Sequence, residues 1–263
     1  MLHEAPHKGR RITVLVSVGR HPESGRARRA EQDARAVEMG LTLAQEELEV
    51  LHAGDPQDIA LRSYAGMGVA ALRVLSMAEQ GDAVEVLSHY LKQNESDVIL
   101  TGSRAERGES SGMLPFMLAE ALEIPVVVGV AQIVSINATD AEVLQALPRG
   151  QRRRLRIALP FIASVDMAAS APRQSAYGPA TRAEIAVQPG VAVADAAMAT
   201  WETAPARKRP KRMKKVKAKT AADRFKAATA KSQSEGGKIL KDQPVSEMVQ
   251  AVFDLLLEEG VIR

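Results

Sequence analysis

The sequence predicts an α/β protein built on a doubly wound parallel sheet. Short runs of β-branched and aliphatic residues, typical of strands buried on both faces, recur along residues 12–165. Segments with helical periodicity or helix-capping residues lie between them. Alternation of strand and helix at this spacing indicates a parallel sheet with helices on both faces. After residue 136 the alternation is replaced by an added hairpin, one more strand, an arm and a final helix.

Each predicted element rests on a local pattern. The predicted strands are short apolar runs over residues 12–18, 48–53, 72–77, 97–101, 125–136 and 160–165. The predicted helices cover residues 30–43, 82–92 and 113–122. A further helix is expected to begin at Asp55 and Pro56, which suit an N-cap and a first helical position, and to end near Gly66 or Gly68.

The C-terminal part follows a different pattern. Residues 142–147 and 152–158 flank a polar turn and predict a hairpin, whereas residues 170–182 have little periodicity and predict a loop. Residues 188–234 contain few large apolar side chains and predict an extended arm. The final helix, predicted over residues 248–257 with Ser246 near its cap, has one apolar face. We therefore predict an α/β domain over residues 1–187, and an arm with a helix over residues 188–263.

Composition excludes several classes of site. The chain contains no cysteine, which excludes disulfides, iron–sulfur clusters and thiolate zinc sites within it. Of its five histidines only His3 and His7 have a helical spacing, and they precede the first predicted element, so we predict no metal site. No apolar run approaches the ~18 residues of a membrane span, and the charged N-terminus lacks the apolar segment of a secretory signal. We expect a soluble, cytoplasmic protein that is not inserted in a membrane.

One segment accounts for the basic character of the chain. Residues 207–219 contain nine lysines or arginines and no acidic residue. Because the whole chain has a formal net charge of +3, the remainder carries −6. The segment lacks the interleaved aromatic residues and the recognised fold of a nucleic-acid site. We favour a solvated linker over a nucleic-acid site, and we expect no nucleic-acid partner.

The loop GSRAERGESSG, residues 102–112, is the main candidate for a binding site. It joins a predicted strand to a predicted helix, and ligands of parallel sheets lie beyond the carboxyl ends of the strands. Its glycines permit close backbone approach, and its serines lie where a helix N-terminus attracts an anion. This pattern fits a phosphate site, and an ordinary loop with a serine cap is the alternative.

Five stretches, in order and with matching spacing, resemble the electron-transfer flavoprotein beta-subunit family. They are VLVSVG (residues 14–19), AEQDARAVEMG (30–40), LRSYAGMGV (61–69), DVILTGSRA with GESSG (97–105 and 108–112), and LPFIASVDMAASAPRQSAYGP (159–179). The second stretch keeps Asp33, Ala36 and Glu38 of the family pattern. The order and the spacing together, rather than any single motif, make the resemblance specific.

The resemblance implies an electron-carrier subunit and not an enzyme. Family members are heterodimers in which the alpha subunit mainly holds FAD and the beta subunit usually holds AMP without redox function. The carrier takes electrons from a flavin-dependent dehydrogenase and passes them to a quinone oxidoreductase. The implied fold is that of adenine nucleotide alpha hydrolase-like domains. By position, the AMP site would contain Ser17, Ala53, Gly102, Arg104, Ser110, Ser111 and Gly112.

The resemblance also implies contacts with partners. His21 and Ser24 align with a stretch near the FAD of the alpha subunit, on which the C-terminal helix is expected to dock. Tyr177 aligns with a leucine that anchors family members on dehydrogenases, in a recognition loop that also contains Pro179 and Arg182. A single large ring among small residues suits such an anchor. A tyrosine packed against its own domain, and a solvated loop histidine, are the alternatives.

Departures from the family pattern keep two further interpretations open. Ser110 and Ser111 replace Gln and Thr, and Arg104 and Arg107 replace Gln and Asp. Two arginines favour a phosphate but change which nucleotide fits. In one alternative FAD occupies the AMP site, as in bifurcating-type beta subunits. In the other, the chain is a nucleotide-binding regulatory module related only by fold.

Overall fold

A computed structural model describes residues 10–43, 48–78, 81–108, 110–191, 198–202, 204–206, 220–222, 225, 240–241 and 243–258. Its strands are β1 (Ile12–Leu15), β2 (Val18–Arg20), β3 (Ala27–Arg29), β4 (Leu48–Gly54), β5 (Ala71–Ser76), β6 (Val98–Gly102), β7 (Val126–Ile136), β8 (Asp140–Ala146), β9 (Arg152–Ala158), β10 (Phe161–Val165) and β11 (Ile185–Pro189). Its α-helices are α1 (Glu31–Leu43), α2 (Ala60–Ala65), α3 (Ala83–Gln93), α4 (Leu114–Leu122), α5 (Tyr177–Arg182) and α6 (Val245–Glu258).

The central sheet has nine strands in the order β11-β5-β4-β1-β6-β10-β7-β8-β9. All neighbours from β11 to β7 pair in parallel, whereas β8 pairs antiparallel with both β7 and β9. This topology confirms the doubly wound α/β fold, and the antiparallel pair is the added hairpin. A separate antiparallel pair, β2 with β3, lies in a segment predicted as a loop.

Two apolar clusters cover the two faces of the sheet. Alternate residues of a strand point to opposite faces. Val14 and Val50 accordingly belong to the cluster that includes α1 and α2, whereas Leu15 and Leu51 belong to the cluster that includes α3 and α4. Burial on both faces explains why these strands are continuous apolar runs and not alternating ones.

Helix α2 begins at Ala60, one turn later than the predicted start at Pro56. The side chains of two aspartates satisfy backbone donors in the turn before it. Gln57 N donates to Asp55 Oδ1 (2.9 Å), and Ala60 N donates to Asp58 Oδ1 (2.9 Å). These side-chain bonds stabilise a turn in place of the first helical residues.

The predicted loop over residues 170–182 contains helix α5, which at six residues is too short to show periodicity. Strand β11 was also missed. It pairs in parallel with β5 up to Pro189, at the sheet edge where a residue without an N–H is tolerated. This strand spans the predicted boundary between residues 187 and 188, so residues 188 and 189 belong to the sheet and not to the predicted arm.

The chain divides into two compact units, Met1–Trp201 and Glu202–Arg263. The second unit contains α6, which confirms the predicted C-terminal helix. Ser246 lies inside this helix and does not cap it, because the helix begins one residue earlier. The basic segment, residues 207–219, lies outside the described residues. Among the described helices, none combines the length and the apolar composition needed to cross a bilayer.

Tyr64 of α2 joins three segments of the first unit from a fully buried position. Its hydroxyl donates to Ser17 O (2.8 Å) and accepts from Ala30 N (2.8 Å). A buried N–H group without an acceptor is costly, so this hydroxyl stabilises the start of α1 and the end of β1 together.

Replacing Tyr64 with Phe is expected to lower the free energy of unfolding by about 1–3 kcal/mol, because the buried Ala30 N–H loses its acceptor. Urea denaturation would measure the change. Tyr177→Phe is the matched control, since its ring is 84% exposed and the same atom is removed from the surface. Equal stability of the two variants would contradict this role for Tyr64.

Candidate functional site

A cavity of ≈ 230 Å³ lies at the carboxyl ends of β1, β4 and β6. Strands β4 and β5 extend the sheet on one side of β1, and β6 lies on the other side, so the strand order reverses here. Parallel sheets bind ligands at such reversal points. All seven residues predicted for the AMP site line this one cavity: Ser17, Ala53, Gly102, Arg104, Ser110, Ser111 and Gly112.

The fully buried carboxylate of Asp33 connects two walls of the cavity. Its Oδ2 accepts from Ser17 N (2.7 Å) and Ser17 Oγ (2.5 Å), and its Oδ1 accepts from Gly102 N (3.1 Å). A β-carbon on Gly102 would collide with Oδ1, so the close approach requires glycine. Burial raises the pKa of Asp33 to about 6, against the opposing effect of these hydrogen bonds.

The loop between β6 and α4 is folded tightly on itself. Ser103 Oγ donates to Gln32 Oε1, and Ser110 Oγ donates to Ala105 O (2.5 Å). Ser110 and Gly112 both adopt left-handed backbone conformations, with φ of 53° and 76°. A β-carbon on Gly112 would lie 2.9 Å from the Ser103 carbonyl oxygen. Glycine is therefore required at this position.

Hydrogen-bond donors remain available where this loop enters α4. The backbone N–H groups of Gly112 and Leu114, two residues that line the cavity, donate to no acceptor within the described part of the chain. Met113 N donates to Ser111 Oγ (3.3 Å), which leaves the hydrogen of that hydroxyl free to bind a ligand. Unpaired N–H groups at the start of a nine-residue helix favour an anion.

Two guanidinium groups border the cavity. Arg104 and Arg107 both line it, and Arg107 lies 3.9 Å from the carboxylate of Asp58. Glu106, between them in the chain, instead accepts hydrogen bonds from Nε and Nη2 of Arg28 at 3.0–3.2 Å. The cavity thus has cationic groups close to the free N–H groups, a combination suited to a phosphate.

His52 is a cavity residue that sequence analysis missed. The side chain is 5% exposed, and its Nδ1 lies 2.8 Å from the Val16 carbonyl oxygen. Burial lowers the pKa of this imidazole, so it is neutral at physiological pH. In the sequence, a single histidine in an apolar strand cannot be distinguished from an ordinary core residue. Its place at the cavity is recognised only from the residues that surround it in the fold.

The remaining predicted residues lie elsewhere. His21 and Ser24 occupy the exposed turn between β2 and β3, where His21 Nδ1 accepts from Ser24 N (3.3 Å). Tyr177, Pro179 and Arg182 belong to α5. The structure therefore separates the cavity from both predicted partner-binding segments. In the described residues, no group of three or more His, Asp or Glu side chains could hold a metal.

Two comparisons with known proteins identify the family. The electron transfer flavoprotein domain family matches residues 23–224. The electron transfer flavoprotein subunit beta of Chromohalobacter salexigens is 49% identical over 255 residues, which cover 96% of this chain and 96% of the relative. This chain belongs to the electron-transfer flavoprotein beta-subunit family. The subunit beta of Bacillus subtilis is 29% identical over 126 residues, 46% of this chain and 48% of the relative.

Membership of the electron-transfer flavoprotein beta-subunit family has direct consequences. Such a subunit is part of an electron carrier and is not a catalyst by itself, and the family implies both an association with a flavin and an alpha-subunit partner. In this beta subunit the lining of the cavity combines hydrogen-bond donors and cationic groups with aliphatic side chains. Such a cavity is suited to binding.

Asp33 should make stability depend on pH. Since its pKa of about 6 lies above the ordinary 3.8, the folded chain binds this proton more tightly than the unfolded chain. The resulting stabilisation is complete below about pH 4 and is lost as the pH rises through 6. Relative to Asp33→Asn, which cannot ionise, the wild-type free energy of unfolding should fall by about 2–3 kcal/mol between pH 4 and pH 7.

Urea denaturation at a series of pH values and at fixed subunit concentration would measure this difference. Glu23→Gln, at an exposed position, is the control that removes a carboxylate without changing the buried one. A difference between wild type and Asp33→Asn that does not vary with pH would contradict ionisation of Asp33 in this range.

Proposed function

We propose that this chain is the beta subunit of a heterodimeric electron-transfer flavoprotein. The complex accepts electrons from a flavin-dependent dehydrogenase and passes them toward a quinone oxidoreductase or the respiratory chain. Its FAD is held mainly by the alpha subunit, this chain holds an AMP without redox function, and the complex acts in the cytoplasm. The convergence of seven family-matched residues on one cavity supports the proposal most directly.

The chemistry of the cavity fits AMP. The free N–H groups of Gly112 and Leu114, the Ser111 hydroxyl and the Arg104 guanidinium suit the phosphate. The aliphatic side chain of Leu87 contributes to a wall that suits a flat, weakly polar base. When bound, AMP would supply buried contacts and a negative charge.

FAD in place of AMP, as in a bifurcating-type beta subunit, is the alternative ligand, and a dinucleotide would need room beyond the ≈ 230 Å³ of this cavity. A regulatory module related only by fold is disfavoured because the identity of 49% to an electron-transfer flavoprotein subunit covers nearly the whole chain.

Mass spectrometry of the denatured heterodimer is expected to detect one AMP in addition to one FAD. Gly112→Ala should remove the AMP, because the new β-carbon lies 2.9 Å from Ser103 O in the loop that binds the phosphate. Gly150→Ala is the matched control, since its φ is also 76° but its β-carbon meets no atom within 4 Å. A wild-type complex without an adenine nucleotide beyond FAD would contradict the proposal.

Helix α6 is proposed to dock on the alpha subunit. Its apolar side chains are not buried, and Val249, Val252 and Phe253 are exposed by 62%, 57% and 47%. Gln250 and Asp254 occupy the opposite, polar side of the helix and are hydrogen-bonded to each other (2.8 Å). Such an amphipathic helix is typical of one that binds in an apolar groove of a partner.

Replacing Val252 and Phe253 together with Ser is expected to abolish co-purification with the alpha subunit, because the docking face loses its largest apolar groups. The double change of Gln250 and Asp254 to Ala, on the polar side of the same helix, is the control. Undiminished recovery of the alpha subunit with the first variant would show that α6 does not dock on it.

The segment that contains Tyr177 is proposed to recognise the dehydrogenase, with Pro179 and Arg182 at the edge of the contact. Arg173 connects this segment to α1. Its backbone N and its side-chain Nε and Nη2 all donate to the carboxylate of Glu38, at 2.8–2.9 Å. Tyr177 itself is exposed. A large ring on a fixed base loses little conformational entropy on binding, which suits an interface anchor.

Tyr177→Ala is expected to slow electron transfer from the cognate dehydrogenase by about 30-fold at limiting concentration, the effect of losing an anchor worth about 2 kcal/mol. Stopped-flow reduction of the flavin would measure the rate. Tyr177→Phe keeps the ring and should retain most of the rate. Flavin content and thermal stability should match the wild type in both variants. An unchanged rate in Tyr177→Ala would exclude the anchor.

The turn between β2 and β3 is proposed to face the flavin of the alpha subunit. His21 and Ser24 are both exposed in this turn. A histidine near a flavin can alter its electrostatic environment.

A further inference from the structure

The imidazole of His52 is fixed at the wall of the cavity by the backbone. Val16 lies just beyond β1, and its N–H group donates to Leu51 O (2.9 Å). The carbonyl group of the same residue is bound by Nδ1 of His52 (2.8 Å). His52 as a whole is 95% buried, and it lines the cavity.

The hydrogen bond to Val16 determines the tautomer of His52. A carbonyl oxygen can only accept, so Nδ1 must carry the hydrogen, and in a neutral ring Nε2 then carries a lone pair. The carboxylates of Asp55 and Asp58 favour protonation, but burial outweighs them and lowers the pKa. Nε2 accepts no hydrogen bond within the described part of the chain. An unpaired acceptor at a binding cavity is a candidate contact for a ligand.

Gly54 leaves the space next to Nε2 open. A β-carbon at this position would lie 2.6 Å from Nε2, and the φ of 155° also disfavours other residues. Any side chain here would therefore cover the nitrogen. The glycine at the end of β4 therefore leaves Nε2 of His52, a residue that lines the cavity, uncovered on this side.

The position of His52 assigns this acceptor to the nucleoside part of the ligand. His52 lies on β4, whereas the loop with the free N–H groups follows β6, and β1 separates the two strands. Two strand spacings amount to about 10 Å. A ligand with its phosphate at that loop would therefore place its ribose or its base beside His52.

We propose that His52 is a specificity-determining residue, whose Nε2 accepts a hydrogen bond from an O–H or N–H group of the nucleoside. This inference rests on the proposed binding of AMP. In AMP the available donors are the two ribose hydroxyls and the amino group of adenine. A buried acceptor discriminates against an analogue without the donor, because the acceptor is then left unpaired.

The test compares AMP with three probes: 2′-deoxy-AMP, 3′-deoxy-AMP and purine riboside 5′-monophosphate, which lacks the amino group. Affinities are measured by calorimetry on heterodimer freed of nucleotide. One probe is expected to bind the wild type about tenfold more weakly than AMP, and that probe identifies the donor.

The key variant is His52→Asn, whose amide N–H can replace Nδ1–H at Val16 O but which has no group at the position of Nε2. It is expected to bind AMP about tenfold more weakly and to bind AMP and the discriminated probe equally. His52→Gln, whose amide oxygen reaches the position of Nε2, should restore part of the discrimination. Leu87→Ala, at another cavity residue, is the control and should weaken all four ligands alike.

Three results would overturn the inference. Equal binding of all four ligands to the wild type would show that Nε2 accepts no hydrogen bond from the nucleoside. If His52→Asn still binds the discriminated probe more weakly than AMP, a residue other than His52 recognises the donor. A wild-type heterodimer that binds no AMP would instead overturn the proposed function itself, and the inference with it, so the two failures are distinguishable.

Discussion

The buried carboxylate of Asp33 is the interaction on which the cavity depends. It binds Ser17, 16 residues before it, and Gly102, 69 residues after it, so the ends of β1 and β6 are held at one point on α1. Burying a carboxylate is unfavourable unless donors surround it, and three donors do so here. The absence of a β-carbon on Gly102 makes the approach possible.

A second buried polar group, the hydroxyl of Tyr64, connects further segments to the end of β1. Tyr64 binds Ser17 and Ala30, the two ends of the segment that contains the β2–β3 pair. Two residues later, Gly66 accepts a hydrogen bond from Ala176, directly before the exposed Tyr177 (2.8 Å). Hydrogen bonds made by Tyr64 of α2 and by Gly66 directly after this helix therefore reach both the cavity residue Ser17 and the segment before Tyr177. Under the proposed function, such fixed contacts suit a subunit that presents a docking surface.

Under the proposed function, the cavity contributes structure to the electron carrier. Its lining includes unpaired donors near α4, the acceptor Nε2 of His52 on β4, and aliphatic side chains such as that of Leu87. A nucleotide that satisfies both ends would pair groups that otherwise stay unpaired, and would stabilise the folded subunit by mass action. A structural role of this kind does not depend on redox chemistry.

The sequence by itself determined the parallel α/β sheet and its hairpin. Strands that are buried on both faces must be continuous apolar runs, and such runs can be recognised directly in the sequence. Family-matched order and spacing also singled out seven residues that the fold brings together among those lining one cavity. The start of α2, the helix α5 and the edge strand β11 escaped prediction, since short elements are set by side-chain caps and by neighbouring strands. Only the tertiary structure decided the roles of Asp33 and His52. Their partners are distant in sequence or are backbone atoms, and such hydrogen bonds produce no periodic pattern.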